Sequence, residues 1–88
     1  MKLILTIIRD SDNEPVSKGL ITAGFRVTRI ASTGGFFRRG STTFMIGVSD
    51  ERVDQAIGVI RDHCSPPPEP NQKRATLFVL NISHFEQL

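Results

Sequence analysis

Apolar residues in this chain come in short runs with two different periods, and the switches between them mark out the elements. Residues 3–8, LILTII, are apolar and β-branched, which suits a buried strand. A helix pattern follows. Asp12 or Asn13 is placed to cap it, Pro15 fits its first turn, Val16, Leu20, Ile21 and Ala23 form an apolar stripe, and Gly24 closes its C-terminus. FRVTRIAS (25–32) alternates as a strand, and TTFMIGV (42–48) reads as another. Ser49 or Asp50 is placed to cap a second helix with acids in its first turn, in which Val53, Ala56, Ile57, Ile60 and Cys64 recur at helical spacing. SPPPEPNQ (65–72) stops that helix, because prolines cannot continue it, and ATLFVLNI (75–82) is a last strand. Under the right-handed crossover rule, the order βαββαβ predicts an α+β, ferredoxin-like sandwich. It has an antiparallel four-stranded sheet with both helices on one face, and a single domain spans residues 1–88.

Two helices cover one face of such a sheet, yet the strands are apolar on both. Leu3, Leu5 and Ile7 oppose Ile4 and Ile8 on the first strand, and Phe78 and Leu80 oppose Leu77 and Val79 on the last. The uncovered face therefore predicts an oligomer built sheet against sheet. Size argues the same way, since a domain of 88 residues buries only roughly 60–65% of the surface its unfolded chain exposes.

No apolar run approaches the roughly 20 residues that span a bilayer. The opening MKLILTIIRD has one lysine, a short apolar run and no small-residue cleavage site, so it reads as a strand and not as a secretion signal. With a lone cysteine, the expected location is cytoplasmic.

A net charge of +2 is too small for a protein that coats nucleic acid, but the charge is unevenly placed. No acid occurs between Glu14 and Asp50, whereas Lys18, Arg26, Arg29, Arg38 and Arg39 all fall there, favouring an anionic ligand. The connection from Thr33 to Gly40 is longer than a hairpin needs. Gly34 and Gly35 permit positive φ, so successive N–H groups can converge on a phosphate. Phe36 and Phe37 are adjacent, so in an extended segment they point opposite ways and at most one enters the chain's own core. The other is left for a planar base or for another subunit. Arg26 and Thr28 share parity on their strand and add a guanidinium and a hydroxyl to one face, and Gly47 leaves space for close approach of a ring.

The run GFRVTRIASTGGFFRRGSTTFMIGVSDERVDQAIGVI, with its "TGGF…G.TTF..GV.D.RVD" pattern, resembles the PII-like cyclic-di-AMP receptor family of bacterial signalling proteins. The end, ATLFVLNISHFEQL, resembles that family's last strand and C-terminal turn. The resemblance implies a non-catalytic homotrimer that holds cyclic-di-AMP in clefts between neighbours and signals to an unidentified downstream protein. The implied contacts are Arg26, Thr28, Gly34, Gly35, Phe36, Phe37, Ser41 and Gly47, with Phe78 supplied by the adjoining subunit. Position 37 often carries leucine in the family. Ser41 stands where the family has an asparagine that reaches the adenine edge, and a hydroxyl cannot pair in bidentate fashion. Between the second helix and the last strand the family has a long glycine-rich loop, and this chain has only CSPPPEPNQKR. The alternative reading is a PII-like trimer that binds another adenine nucleotide, or none, and serves as a protein-interaction scaffold.

Other classes fit the residues less well. An RRM shares the element order but stacks RNA bases on aromatics of its first and third strands, and here the first strand has none and the third only Phe44. An acylphosphatase-like enzyme needs a phosphate cradle after the first strand, where this chain has the acidic RDSDNE. His63 and His84 match no metal-ligand spacing. His63 reads as a favourable charge at a helix C-terminus, and Cys64 as core. No catalytic residue, cofactor, metal, nucleic acid or membrane insertion is expected.

Overall fold

A computed structural model describes residues 1–32, 40–67 and 69–88. The elements are β1 (Lys2–Arg9), α1 (Asn13–Thr22), β2 (Arg26–Ser32), β3 (Ser41–Val48), α2 (Val53–His63) and β4 (Ala75–Asn81), with short 3₁₀ turns leading into each helix at Asp10–Asp12 and Asp50–Arg52. The strands form one sheet in the order β2-β3-β1-β4, and every neighbouring pair is antiparallel. This is the ferredoxin-like α+β arrangement that the element order predicts.

Alternation along the central strands shows which face the helices cover. Ile4, Thr6 and Ile8 of β1 and Thr42, Phe44, Ile46 and Val48 of β3 are buried, and they form the core with Val16 and Leu20 of α1 and Ala56 and Ile60 of α2. Phe25 and Cys64 also belong to that core. The residues between them in β1 and β3 point to the other face, which no helix covers.

The helix boundaries depart from the predicted caps. Neither Asp12 nor Ser49 caps a helix N-terminus with its side chain; each helix instead grows out of a 3₁₀ turn. Asp12 is 1% exposed and bonds to Ser65, 53 residues away. Asp50 lies 3.0 Å from the amino group of Met1, which holds its carboxyl below the ordinary value. Ile21, predicted for the apolar stripe of α1, is 60% exposed, because only Val16 and Leu20 on that helix reach the core.

The C-terminus of α1 does follow the sequence. Gly24 has φ +92°, a conformation costly for any residue with a Cβ, and the N–H of Phe25 then donates to the carbonyl of Leu20 at 2.9 Å. Arg52 secures this corner, donating to the Ala23 carbonyl at 2.8 Å while its guanidinium lies 4.1 Å from the centre of the Phe25 ring.

One buried hydroxyl has no partner among the described residues. Thr6 is fully buried, and its Oγ1 makes no hydrogen bond among the described residues. Leaving such a group unpaired costs about 1–3 kcal/mol. Thr6→Val, which replaces the hydroxyl with a methyl of similar shape, is therefore expected to raise stability by about 1 kcal/mol in urea denaturation. A loss of stability would show that the hydroxyl is paired in solution.

Candidate functional site

The register of the sheet sorts the predicted site residues. On the uncovered face, Arg26 of β2 stands opposite Gly47 of β3, and Gly47 stands opposite Leu3 of β1, which in turn faces Leu80 of β4. One step along, the row reads Thr28, Met45, Leu5 and Phe78, and the next row runs from Thr43 through Ile7 to Thr76. The face thus has two territories: a polar edge at β2 and β3, and an apolar plateau over β1 and β4. Ile7 is 37%, Phe78 52% and Leu80 44% exposed on that plateau.

Arg26, Thr28 and Gly47 meet on the polar edge, and all three are exposed. Neither Arg26 nor Thr28 makes an ion pair or side-chain hydrogen bond among the described residues. Their donors face outward from a strand with one free edge, which suits an anionic ligand. The space over Gly47 has an occupant within the chain, since a Cβ built there would come within 3.3 Å of the Met1 methyl. That methyl is the far end of a flexible side chain and can give way.

Two predicted residues do not join this group within one chain. Phe78 lies in the same row as Thr28 but three strands across, roughly 14 Å at the usual strand spacing. Ser41 begins β3, six residues from Gly47, or roughly 20 Å along an extended strand. Gly34, Gly35, Phe36 and Phe37 lie outside the described residues. The connection that holds them leaves β2 and enters β3 at the end of the hairpin remote from Arg26 and Gly47.

The basic segment is also divided by the sheet. Arg29 stands opposite Phe44, on the side of the helices, and lines a shallow groove with Glu14, Lys18 and Ile21 of α1. A bulge follows it, where the pairing shifts between Arg29 and Ala31 and Ile30 is left 53% exposed. Among the described residues of the segment, positive charge is therefore shared between two faces, and only Arg26 belongs to the open one.

Sequence reasoning missed a polar cluster at the other end of β1. Asp12 Oδ1 accepts from the Ser65 backbone N–H at 3.2 Å and from its hydroxyl at 2.6 Å, and Asp12 Oδ2 lies 3.3 Å from the Arg9 guanidinium. Arg9 in turn donates to the carbonyls of Ser65 and Pro66. Nothing in the sequence links positions so far apart, and an aspartate just before a helix reads as a cap.

The groups weighed for catalysis or metal binding are engaged elsewhere. His63 Nδ1 lies 2.8 Å from the Val59 carbonyl, and its ring covers Gly19, where a Cβ would approach within 2.7 Å of Nε2. His84 pairs with Glu86 at 3.3 Å. Among the described residues no group of three or more His, Cys, Asp or Glu side chains is arranged to hold a metal ion. No helix among them is long and apolar enough to cross a membrane.

Comparison with known proteins gives the family and the fold. Residues 1–69 match the cyclic-di-AMP receptor family, so the chain belongs to that family. A crystal structure of a functionally unknown protein from Pediococcus pentosaceus ATCC 25745 is similar over 99% of this chain and 96% of that one, at 33% identity and a TM-score of 0.80. The family match stops within the proline segment, whereas the structural match runs on through β4.

Cys64 is 6% exposed, and burial pushes its thiol above the ordinary value, with nearby Asp12 adding to the effect and Arg9 and Arg74 opposing it. A raised acid pKa in the folded state makes stability fully present below the unfolded value, 9.0, and lost as pH rises beyond it. Denaturation at increasing pH is expected to show a loss of stability above about pH 9 that Cys64→Ala reduces. An identical pH profile in the variant would assign the loss to other groups.

Proposed function

We propose that this protein is a PII-like signalling protein that binds cyclic-di-AMP at clefts between the subunits of a cytoplasmic homotrimer. On this reading the ligand orders the 33–40 connection, and the ordered loop is presented to a downstream protein. Family membership supports the ligand class. The observation that carries the subunit cleft is the separation of the candidate residues. Arg26, Thr28 and Gly47 sit at one end of the β2–β3 hairpin, the 33–40 connection lies at the other, and Phe78 is three strands away. One compact dinucleotide touches all of these groups most readily when they come from different copies of the chain.

The chemistry assigned to each residue follows from its type. Arg26 supplies a charge-assisted contact to a phosphate, Thr28 a hydroxyl beside it, and Gly34 and Gly35 backbone N–H groups. Phe36, Phe37 and a neighbour's Phe78 supply faces on which adenines stack. Ser41 contributes a single hydroxyl at the base of the loop. Gly47 leaves room for the ligand once the Met1 methyl moves aside. The apolar plateau of Leu5, Ile7, Phe78 and Leu80 supports a sheet-to-sheet trimer contact.

Titration calorimetry with cyclic-di-AMP, cyclic-di-GMP, ATP and ADP tests the ligand. Cyclic-di-AMP is expected to bind, and Arg26→Ala to weaken it by about 1–3 kcal/mol. Because Arg26 is exposed, the stability of that variant is expected to change by no more than about 0.5 kcal/mol. Heat from ATP or ADP alone would favour the other adenine nucleotides, and no heat from any of the four would leave the scaffold reading. Sedimentation at micromolar concentration tests the assembly, with a trimer expected; a monomer would remove the subunit cleft.

A further inference from the structure

The turn that ends β1 is bonded on one side to the start of β3 and on the other to the proline segment. On the first side, the Asp10 N–H donates to the Gly40 carbonyl at 2.9 Å, and the Thr42 hydroxyl donates to Asp10 Oδ1 at 2.6 Å. Two residues further on, Asp12 receives the Ser65 N–H and hydroxyl, while Arg9 reaches the carbonyls of Ser65 and Pro66. Residues 9–12 therefore hold the exit of the 33–40 connection and the root of the proline segment at once.

This turn is buried where it matters and incompletely satisfied. Asp12 is 1% exposed, its Oδ2 accepts no hydrogen bond among the described residues, and neither does the buried Arg9 Nε donate one. Arg9 Nη2 lies 3.3 Å from Asp12 Oδ2 as an ion pair, but without hydrogen-bond geometry. With an acceptor and a donor unused, a shift of Arg9 that improved its contact with Asp12 would also alter its bonds to Ser65 and Pro66. We infer that residues 9–12 couple the strand entry at Gly40–Thr42 to the proline segment at Ser65–Pro66, so that a change at either end is felt at the other. This inference rests on the proposed function only in taking a nucleotide at the 33–40 connection as the natural input, with the proline segment as the output.

Each end carries its own reporter: the Asp10 amide, bonded to Gly40, and the Ser65 amide, bonded to Asp12. Amide hydrogen exchange followed by NMR on the ligand-free protein tests the coupling. Ser65→Ala, which removes the hydroxyl bond to Asp12, is expected to speed exchange of the Asp10 amide several-fold. Thr42→Val is expected to do the same to the Ser65 amide, with the amide of Leu5 in mid-β1 unchanged in both variants. Ser65 is exposed, so its variant keeps the test open if Thr42→Val does not fold. Faster exchange confined to the mutated end overturns the coupling, and so does equal acceleration at Leu5, which reports global unfolding. Cyclic-di-AMP added to the unaltered protein is expected to slow both reporters; protection of Asp10 alone also overturns the coupling. If calorimetry finds no nucleotide binding, the proposed function fails while the two variants still decide the coupling.

Discussion

Two helices cover one face of a four-stranded sheet, and in this chain both faces carry apolar side chains. That mismatch governs the rest of the molecule. On the covered side, Ile4, Ile8, Phe44 and Ile46 are closed over by Val16, Leu20, Ala56 and Ile60. On the other, Ile7, Phe78 and Leu80 remain between about a third and a half exposed. Burying such a side chain fully is worth about 1.5–3 kcal/mol, so completing the burial of three of them gains a few kcal/mol. The whole stability of a small domain is about 5–15 kcal/mol. Association over this face would therefore be on the scale of folding itself, and under the proposed function a ligand held at its margin would also be held where copies meet.

The uncovered face is not uniform, and its division would let one surface serve the two purposes that the proposed function requires. The apolar plateau lies over β1 and β4, while Arg26, Thr28 and Gly47 lie at the β2 side. Charge placed in the middle of the plateau would have to be desolvated on association, at a cost of several kcal/mol per ion without a partner. At the edge, Arg26 stays in water, and an anion bound there would not first require stripping its hydration against apolar neighbours. The bulge after Arg29 reinforces the separation, because it breaks the alternation just before the chain leaves β2 for the 33–40 connection.

Much of this was legible in the sequence, for a physical reason that also sets its limits. Periods of two and 3.6 report which residues share a face, so the βαββαβ order, the two-sided β1 and the common parity of Arg26 and Thr28 could all be read. Parity does not report distance across a sheet. It puts Phe78 on the same face as Thr28 but leaves unsaid that three strands separate them. Nor does it report how far a helix leans on its neighbours, which is why Ile21 looked like core and is exposed. The caps failed for a third reason. An aspartate before a helix has many possible donors, and for Asp12 the winning ones belong to Ser65, brought near only by the complete fold. The Gly24 closure was legible because its cause is local: a positive φ needs no distant partner.

The same contrast between local and distant causes bears on the shortened connection between α2 and β4. A long loop can cover a ligand by its own reach, but the stretch from Ser65 to Arg74 here is short and begins with Pro66 and Pro67. Prolines fix φ and lose little entropy on ordering, so such a segment transmits a displacement of its root more faithfully than a glycine-rich one would. Its root is where Arg9 and Asp12 hold it. A chain without a long covering loop thus retains a stiff segment anchored to the turn that also bonds the entry to β3. On the coupling inferred above, that segment would serve as a mechanical connection, because stiffness and anchoring, unlike reach, do not require length.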